Sequence, residues 1–155
     1  MTFDEFKNNV EQWAAERGIY EHSTPQAQLL KALSELGELA DAVIKNDIEG
    51  IKDGVGDVAV CMVNYARMED CEDIFCHDYA TGSDSTYEEI GFIAETIGGL
   101  LTFDDCAELG DICTCLNSIA NRYGLDFLDC CEHAWNQIKN RTGHMVAGGA
   151  FVKDE

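Results

Sequence analysis

Two pairs of acidic residues, set on either side of a helix break, constrain this chain more than any other feature. Within residues 31–57, KALSELGELADAVIKNDIEGIKDGVGD, Glu35 and Glu38 are three apart, and Asp53 and Asp57 are four apart. Residues at these spacings share one helix face, so each pair of carboxylates points the same way. Two such helices packed antiparallel would bring four carboxylates together. These carboxylates would repel one another unless a cation compensated their charge. The simplest such cation is a divalent metal ion that prefers oxygen ligands.

The composition predicts one helical domain and argues against several classes of partner. With 155 residues, 46% of them apolar, residues 1–155 can bury the core of a single domain. A single proline favours long helices. The formal charge of −20 argues against nucleic-acid polymers and anionic membranes as partners. A small anionic ligand stays open, because bound cations can reverse the local field.

The chain carries no predicted membrane span or export signal. It has no run of about 20 apolar residues, the length needed to cross a bilayer. Its first residues, MTFDEFKNNVEQW, are acidic and amphipathic, unlike a signal peptide. We therefore expect a cytoplasmic location, in the host cytoplasm if a phage encodes the protein.

Eight cysteines are expected to be reduced and mostly buried, because a chain without a signal peptide stays in a reducing compartment. Cys76 and His77, together with Cys130, Cys131 and His133, leave a structural zinc site as an alternative. The absence of any CxxC pair argues against that alternative.

The first half of the chain reads as three helices. Phe, Val and Trp recur at helical spacing over residues 3–16, and Gly18 can end that helix. Trp13 is either a core residue or a platform that stacks on a nucleobase. Thr24 and Pro25 predict the start of a second helix, which runs to about residue 45. Its predicted inward stripe comprises Leu29, Leu33, Leu36, Ala40 and Val43.

A third helix is predicted over about residues 48–67, with an apolar stripe on one face and a more polar stripe roughly opposite it. One comprises Ile51, Val55, Val58, Met62 and Ala66. The other carries Asp53, Asp57, Cys61 and Asn64, and neighbouring valines predict that it is partly desolvated. Carboxylates there would need a partner. The alternative for the four carboxylates is a solvated acidic face. A further short helix is predicted near residues 74–79.

Residues 81–86, TGSDST, have the composition of a linker, and the segments on either side of it are alike. With an offset of 54, residues 31–80 align without gaps on residues 85–134 and share nine identities in 50 positions. We therefore predict an internal duplication. The second copy replaces Glu38 by Phe92, so we expect the metal site in the first copy and a mainly structural second copy. A site that borrows ligands from both copies is the alternative.

Basic residues are scarce, which draws attention to the few near the acidic pairs and in the tail. Lys31 lies one turn before Glu35, suited to an ion pair or to an anionic group on a bound metal. Lys139, Arg141 and Lys153 belong to the tail, where they either end a solvated helix or contact phosphate.

Taken together, these segments resemble the all-α nucleotide pyrophosphohydrolases of the MazG-like superfamily, especially short phage-type members. The resemblance is carried by EQWAAERG at 11–18, STPQAQLLKALSELGELADAV at 23–43, IKDGVGDVAVCMVNYA at 51–66, LDFLDCCEHAWNQIKNRTGHMV at 125–146 and GAFVKDE at 149–155. The family pattern is ExxE followed later by ExxD. Gly54 stands where the second Glu is expected, and Asp53 is the natural substitute.

The resemblance implies an all-α fold with a four-helix-bundle-like core. Family members with one copy of the central helices form dimers that share the bundle, so the two copies here could pack as a pseudo-dimer. Further association into a homo-oligomer, a dimer or tetramer, is also expected.

The resemblance also implies an activity: hydrolysis of a nucleoside triphosphate to the monophosphate and pyrophosphate. Glu35, Glu38, Asp57 and Asp53 would hold Mg²⁺ or Mn²⁺, and Glu35 or Glu38 would accept the proton of the attacking water. Lys31, Lys139, Arg141 and Lys153 would neutralise phosphate charge. Trp13 and Asn64 would contact the base or sugar.

Several alternatives remain open at the level of the sequence. The expected substrate is dGTP or another purine deoxynucleotide, with dUTP or dCTP as the alternative. A non-catalytic nucleotide-binding or interaction module of the same fold would bind the ligand without releasing pyrophosphate.

Overall fold

The computed structural model describes residues 1–71, 74, 81–103 and 109–155, and these residues are mostly helical. The helices within them are α1 (Phe3–Glu16), α2 (Ile19–His22), α3 (Pro25–Lys45), α4 (Ile48–Met68), α5 (Thr86–Phe103), α6 (Leu109–Arg122) and α7 (Phe127–Ile138). Two short antiparallel strands, β1 (Gly143–Met145) and β2 (Phe151–Lys153), form a hairpin near the C-terminus. The prediction of an all-α protein is confirmed at the level of a mostly helical fold.

Side-chain caps explain where the first helices begin. Thr2 and Glu5 form a reciprocal capping box at the start of α1. Thr24 accepts a hydrogen bond from the backbone of Ala27, and Pro25 occupies the first turn of α3, as predicted. Asp47 caps α4 in the same way. Each cap satisfies a backbone N–H that the helix itself leaves without a partner.

Helix α4 lies between α3 and α7, and two glycines permit this close packing. A Cβ atom at Gly54 would lie 2.8 Å from the Cβ of Leu39 on α3. A Cβ atom at Gly56 would overlap the carbonyl oxygen of Cys130 on α7 and lie 2.7 Å from the Cβ of Ala134. The Gly-Val-Gly sequence therefore lets α4 approach one neighbour on each side, which places its acidic residues between them.

The tail returns to the end of α1 through a set of contacts that we call the tail clamp, made by Arg17 with the carbonyls of Lys139 and Arg141. Arg17 donates from Nε to the Arg141 carbonyl at 2.7 Å and from Nη2 to the Lys139 carbonyl at 3.4 Å. Its guanidinium lies 5.0 Å from the centre of the Trp13 ring, and Phe151 of β2 packs edge-on against that ring. The clamp fixes the segment that follows α7.

Several local features differ from the sequence predictions. Neither α2 nor the hairpin was expected. Leu33 of the predicted inward stripe of α3 is 42% exposed, whereas Ala32, Leu39 and Ala42 are buried. The helix predicted near residues 74–79 lies, except for Ile74, outside the described residues, which leaves it a prediction.

Among the described residues, the cysteines follow the expectation except at position 71. Cys71 is disulfide-bonded, so the expectation of reduced thiols is wrong at that position. The remaining cysteines of the described residues are buried and form no disulfide bond: Cys61, Cys113, Cys115, Cys130 and Cys131. Across the helices that the structure describes, none has the length and apolar character to cross a membrane.

Candidate metal and phosphate site

Helix α3 contributes a buried carboxylate paired with a lysine. Glu35 is 8% exposed, and its Oε1 forms an ion pair with Nζ of Lys31 one turn earlier. Burial lowers the pKa of Lys31, but the pair with Glu35 outweighs this effect and leaves that pKa above its ordinary value. Glu38, on the same helix, is exposed to solvent. Of the two glutamates, the buried one, Glu35, is therefore neutralised by Lys31, whereas Glu38 faces solvent.

Helix α4 contributes two carboxylates, of which Asp57 is the more perturbed. Burial, and then the negative charges of Glu35 and Asp53, raise the pKa of Asp57 to about 6. The positive charges of Arg141 and Lys31 act in the opposite direction. Asp57 therefore lies within electrostatic reach of two of the other three predicted ligands, Glu35 and Asp53, and of two predicted phosphate-binding residues.

A cavity of about 510 Å³ opens between α3 and α4. Glu38, Asp53 and Asp57 all contribute to its lining, whereas Glu35 does not. The remaining lining residues are Ser34, Gly37, Asp41, Ala42, Lys45, Asp47, Gly50 and Gly54. We call this the acidic cavity. Three of the four predicted metal ligands share it, and the fourth influences it through its charge.

Asp53 is held by helix α7, a connection that the sequence did not reveal. Nε2 of His133 lies 2.5 Å from Oδ1 of Asp53, and Nε2 of Gln137 donates to the same oxygen at 2.9 Å. The two α7 residues are four apart and so share one helix face. His133 was noticed in the sequence only as a candidate zinc ligand near Cys130 and Cys131. Its separation of 80 residues from Asp53 left no local signal for this contact.

The four predicted carboxylate ligands suit a hard divalent cation, although their oxygens do not point at one common position. Carboxylate oxygens are the ligands that Mg²⁺ and Mn²⁺ prefer. Within the described residues, no three His, Cys, Asp or Glu side chains are grouped closely enough to hold an ion as they stand. Lys31 forms an ion pair with Glu35, and one oxygen of Asp53 is hydrogen-bonded to His133 and Gln137. The side chains of these carboxylates would therefore have to rotate when an ion binds.

The other predicted substrate-binding residues lie in different surroundings. Oδ1 of Asn64, which is buried on α4, accepts a hydrogen bond from Tyr20 at 2.8 Å. Trp13 is a core residue, 6% exposed. Lys139 donates from Nζ to Asn136, and Lys153 is exposed on β2. Of the predicted phosphate-binding residues, Lys31 and Arg141 are the two whose charges act on Asp57.

In the predicted second copy, side chains of the protein neutralise the buried acid that corresponds to Glu35. Glu89 is 1% exposed and accepts hydrogen bonds from Thr81, Ser118 and Arg122. It belongs to a smaller cavity of about 370 Å³ that is also lined by Phe92 and Asp111. Glu89 is therefore satisfied by an arginine and two hydroxyl groups, whereas Glu35 has Lys31 as its ion-pair partner.

The structure thus defines a mostly helical protein with an acidic cavity between two central helices. The chain is 31% identical over 152 residues to a Haemophilus phage HP1 (strain HP1c1) protein described as "Uncharacterized 18.2 kDa protein in rep-hol intergenic region". The similarity covers 81% of this chain and 93% of the phage protein, so the chain belongs to the family of that protein. No protein-family model matches the chain, and no solved structure resembles it significantly.

Proposed function

We propose that the protein is a metal-dependent pyrophosphohydrolase that cleaves a nucleoside triphosphate to the monophosphate and pyrophosphate. The proposal is carried by the grouping of acidic residues with a few cations around Asp57. Burial and then the neighbouring carboxylates raise the pKa of Asp57, while Lys31 and Arg141 lie within electrostatic reach. A strongly acidic cavity with built-in cations suits a metal–phosphate ligand. The MazG-like resemblance supports the same activity.

Glu35, Glu38, Asp57 and Asp53 would hold Mg²⁺, with Mn²⁺ as an alternative. When bound, the ion would supply positive charge that polarises the α-phosphoryl group and makes a water molecule easier to deprotonate. The oxygen of this water forms a bond to the α-phosphorus, the bond from that phosphorus to the bridging oxygen breaks, and pyrophosphate leaves. A carboxylate oxygen of Glu35 or Glu38 accepts the proton that the water loses.

The remaining residues would bind and orient the nucleotide. Lys31 and Arg141 would neutralise phosphate oxygens beside Asp57, and Lys139 and Lys153 would contribute if the tail approaches the substrate. Asn64 would contact the sugar or base, whereas Trp13 is enclosed in the core and takes no part in the proposed site. We favour dGTP or another purine deoxynucleotide as substrate, with dUTP or dCTP as the alternative. Association into a homo-oligomer is part of the same proposal.

A panel of ribonucleoside and deoxynucleoside triphosphates, with Mg²⁺ or Mn²⁺, tests this function by measuring pyrophosphate release. Glu38→Gln should reduce the rate by about 100-fold or more, because it removes a charged ligand while keeping the side-chain size. Glu49→Gln, an exposed acid on α4, serves as the matched control and should keep the wild-type rate. Nucleotide binding without any pyrophosphate release would instead favour the non-catalytic nucleotide-binding module. Full activity in Glu38→Gln would contradict the proposed site.

A further inference from the structure

Asp53 is the predicted ligand that departs from the family spacing, and the packing of α4 explains why. The ExxD pattern expects a glutamate at Gly54. A Cβ atom there would lie 2.8 Å from Leu39 Cβ and 2.9 Å from Leu39 Cα, the second of which is backbone. Because backbone cannot move aside as a side chain can, position 54 cannot hold any larger residue without separating α3 from α4. The carboxylate therefore has to come from a neighbouring position.

Moving the carboxylate from position 54 to position 53 changes both its direction and its length. Adjacent residues on a helix point about 100° apart, following 3.6 residues per turn. An aspartate is also one methylene shorter than a glutamate. Asp53 consequently lies on the side of α4 that approaches α7, where His133 and Gln137 meet it. A free aspartate at this position would have no fixed orientation towards the cavity that it shares with Asp57.

We propose that His133 and Gln137 are positioning residues that hold Asp53 as the fourth metal ligand of the acidic cavity. Both contacts are made to Oδ1 of Asp53. Among the described residues, none donates a hydrogen bond to Oδ2, so that oxygen is available to the ion. The inference rests on the proposed function, since it concerns the same metal site.

The chemistry of the contact assigns each group its role. A carboxylate can only accept hydrogen bonds, so Nε2 of His133 must carry the proton that it shares with Asp53. Gln137 then donates its amide to the same oxygen. Hydrogen bonds of this kind fix the orientation of a ligating side chain, and their loss typically weakens metal binding by about 10- to 100-fold.

Mn²⁺ titration of the whole chain, followed by electron paramagnetic resonance of the free ion, tests the proposal without relying on catalysis. We expect His133→Leu to weaken Mn²⁺ binding about 10-fold or more, and Asp53→Asn to weaken it at least as much. His133→Gln should restore most of the affinity, because its amide nitrogen can replace Nε2 as a donor. His144→Leu, a histidine on the exposed hairpin, is the matched control and should bind Mn²⁺ as the wild type does.

Each other outcome overturns a different part of the argument. If Asp53→Asn keeps wild-type affinity while Asp57→Asn loses it, Asp53 is not a ligand, although the proposed metal site stands. If His133→Gln binds as weakly as His133→Leu, the histidine ligates the ion itself. If the double variant His133→Leu with Gln137→Leu binds normally, α7 does not position Asp53. A wild-type protein that binds no Mn²⁺ would overturn the proposed function together with this inference.

Circular dichroism melts in the presence of a chelator show whether any variant has lost affinity because it is unfolded. His133→Gln and Gln137→Leu are single, conservative changes at partly or fully exposed positions, so at least one should keep the wild-type fold. If His133→Leu and Gln137→Leu both fold and both bind Mn²⁺ with wild-type affinity, the positioning role is overturned.

Discussion

Asp57 illustrates how a proposed metal ligand can be unfavourable for folding. Its carboxylate is partly buried and lies near two other acids, so the folded protein resists its ionisation. In the unfolded chain the same group is surrounded by water and ionises near its ordinary pKa of 3.8. The difference makes the stability of the protein depend on pH in a direction opposite to that of a salt-bridged aspartate.

This difference predicts a pH-dependent gain in stability on replacing Asp57 by Asn. The folded state binds the proton more tightly than the unfolded state, so wild-type stability falls as pH rises from about 4 to about 6 and stays lowered above that. Without divalent cations, Asp57→Asn should therefore become more stable than the wild type across this window. Urea unfolding with a chelator at several pH values measures the difference.

When the same unfolding experiment is done with Mg²⁺, the wild type should be more stable than Asp57→Asn. An ion that binds only the folded wild type adds stability by mass action, whereas Asp57→Asn lacks a ligand and gains less. A gap between the two proteins that stays constant with pH in the chelator would show that the Asp57 charge is not disfavoured by folding.

At the scale of elements, the placement of α4 depends on having no side chain at two positions. Gly56 faces α7, where a Cβ atom would meet the carbonyl of Cys130 and the methyl group of Ala134. Overpacking of this kind forces backbone shifts that typically cost about 1–3 kcal/mol. The gain in helix propensity from glycine to alanine, about 1 kcal/mol, does not offset the upper part of that range.

Gly56→Ala should accordingly lower the free energy of unfolding by about 1–2 kcal/mol. Gly98→Ala is the matched control, because Gly98 also lies in a helix but a Cβ atom there would have no neighbour within 4 Å. The control should be neutral or more stable by up to about 1 kcal/mol. Denaturant unfolding of both variants checks the contrast, and equal effects of the two substitutions would show that α4 and α7 can separate freely.

The elements that the sequence predicted well are those with local signals. Thr24 and Pro25 act within one turn of where they stand, and they correctly indicate where α3 begins. The prediction of which face of α3 is buried was partly wrong, because periodicity alone does not show which neighbours a helix will contact. Leu33 fits the predicted stripe but remains 42% exposed.

Contacts between distant segments were beyond the reach of the sequence. The four candidate carboxylates could be found from their spacing, and three of them line the acidic cavity. His133 could not be linked to Asp53, because the two lie on different helices and share no repeating pattern. The hairpin was missed for a similar reason. Each of its strands has three residues, too few to show an alternating pattern, and Phe151 packs against Trp13 of α1.

At the scale of the whole molecule, the two predicted copies differ in how they neutralise a buried acid. Glu35 pairs with Lys31 beside the acidic cavity, whereas Glu89 is enclosed by Thr81, Ser118 and Arg122. This difference supports the prediction of one functional and one structural copy, while the duplication itself remains a prediction.

Substitutions at paired positions test that division. Asp57→Ala should abolish pyrophosphate release, while Asp111→Ala, at the equivalent position of the second copy, should leave turnover nearly intact. The physical reason is that Phe92 replaces Glu38 in the second copy, which removes a ligand. The opposite result would place the active site in the second copy, and loss of activity in both variants would favour a site that borrows ligands from each.

Arg122 provides a test of the structural role. Arg122→Ala leaves Glu89 buried with fewer donors, and a buried carboxylate that lacks part of its hydrogen bonds destabilises the folded state. We expect a drop in melting temperature in the presence of either metal or chelator, with unchanged turnover below the transition. A normal melting temperature would mean that Thr81 and Ser118 suffice to stabilise Glu89.

The tail clamp also has a consequence for the order of folding. Arg17 and Arg141 are 124 residues apart, so closing this contact early would demand a large loss of chain entropy. We expect it to form after the folding transition state, when the helices have already packed. Weakening the clamp by Arg17→Ala should then speed unfolding and leave the refolding rate nearly unchanged, as stopped-flow measurements in denaturant can check. The clamp would act as a latch that governs how long the protein stays folded, with little influence on how fast it folds.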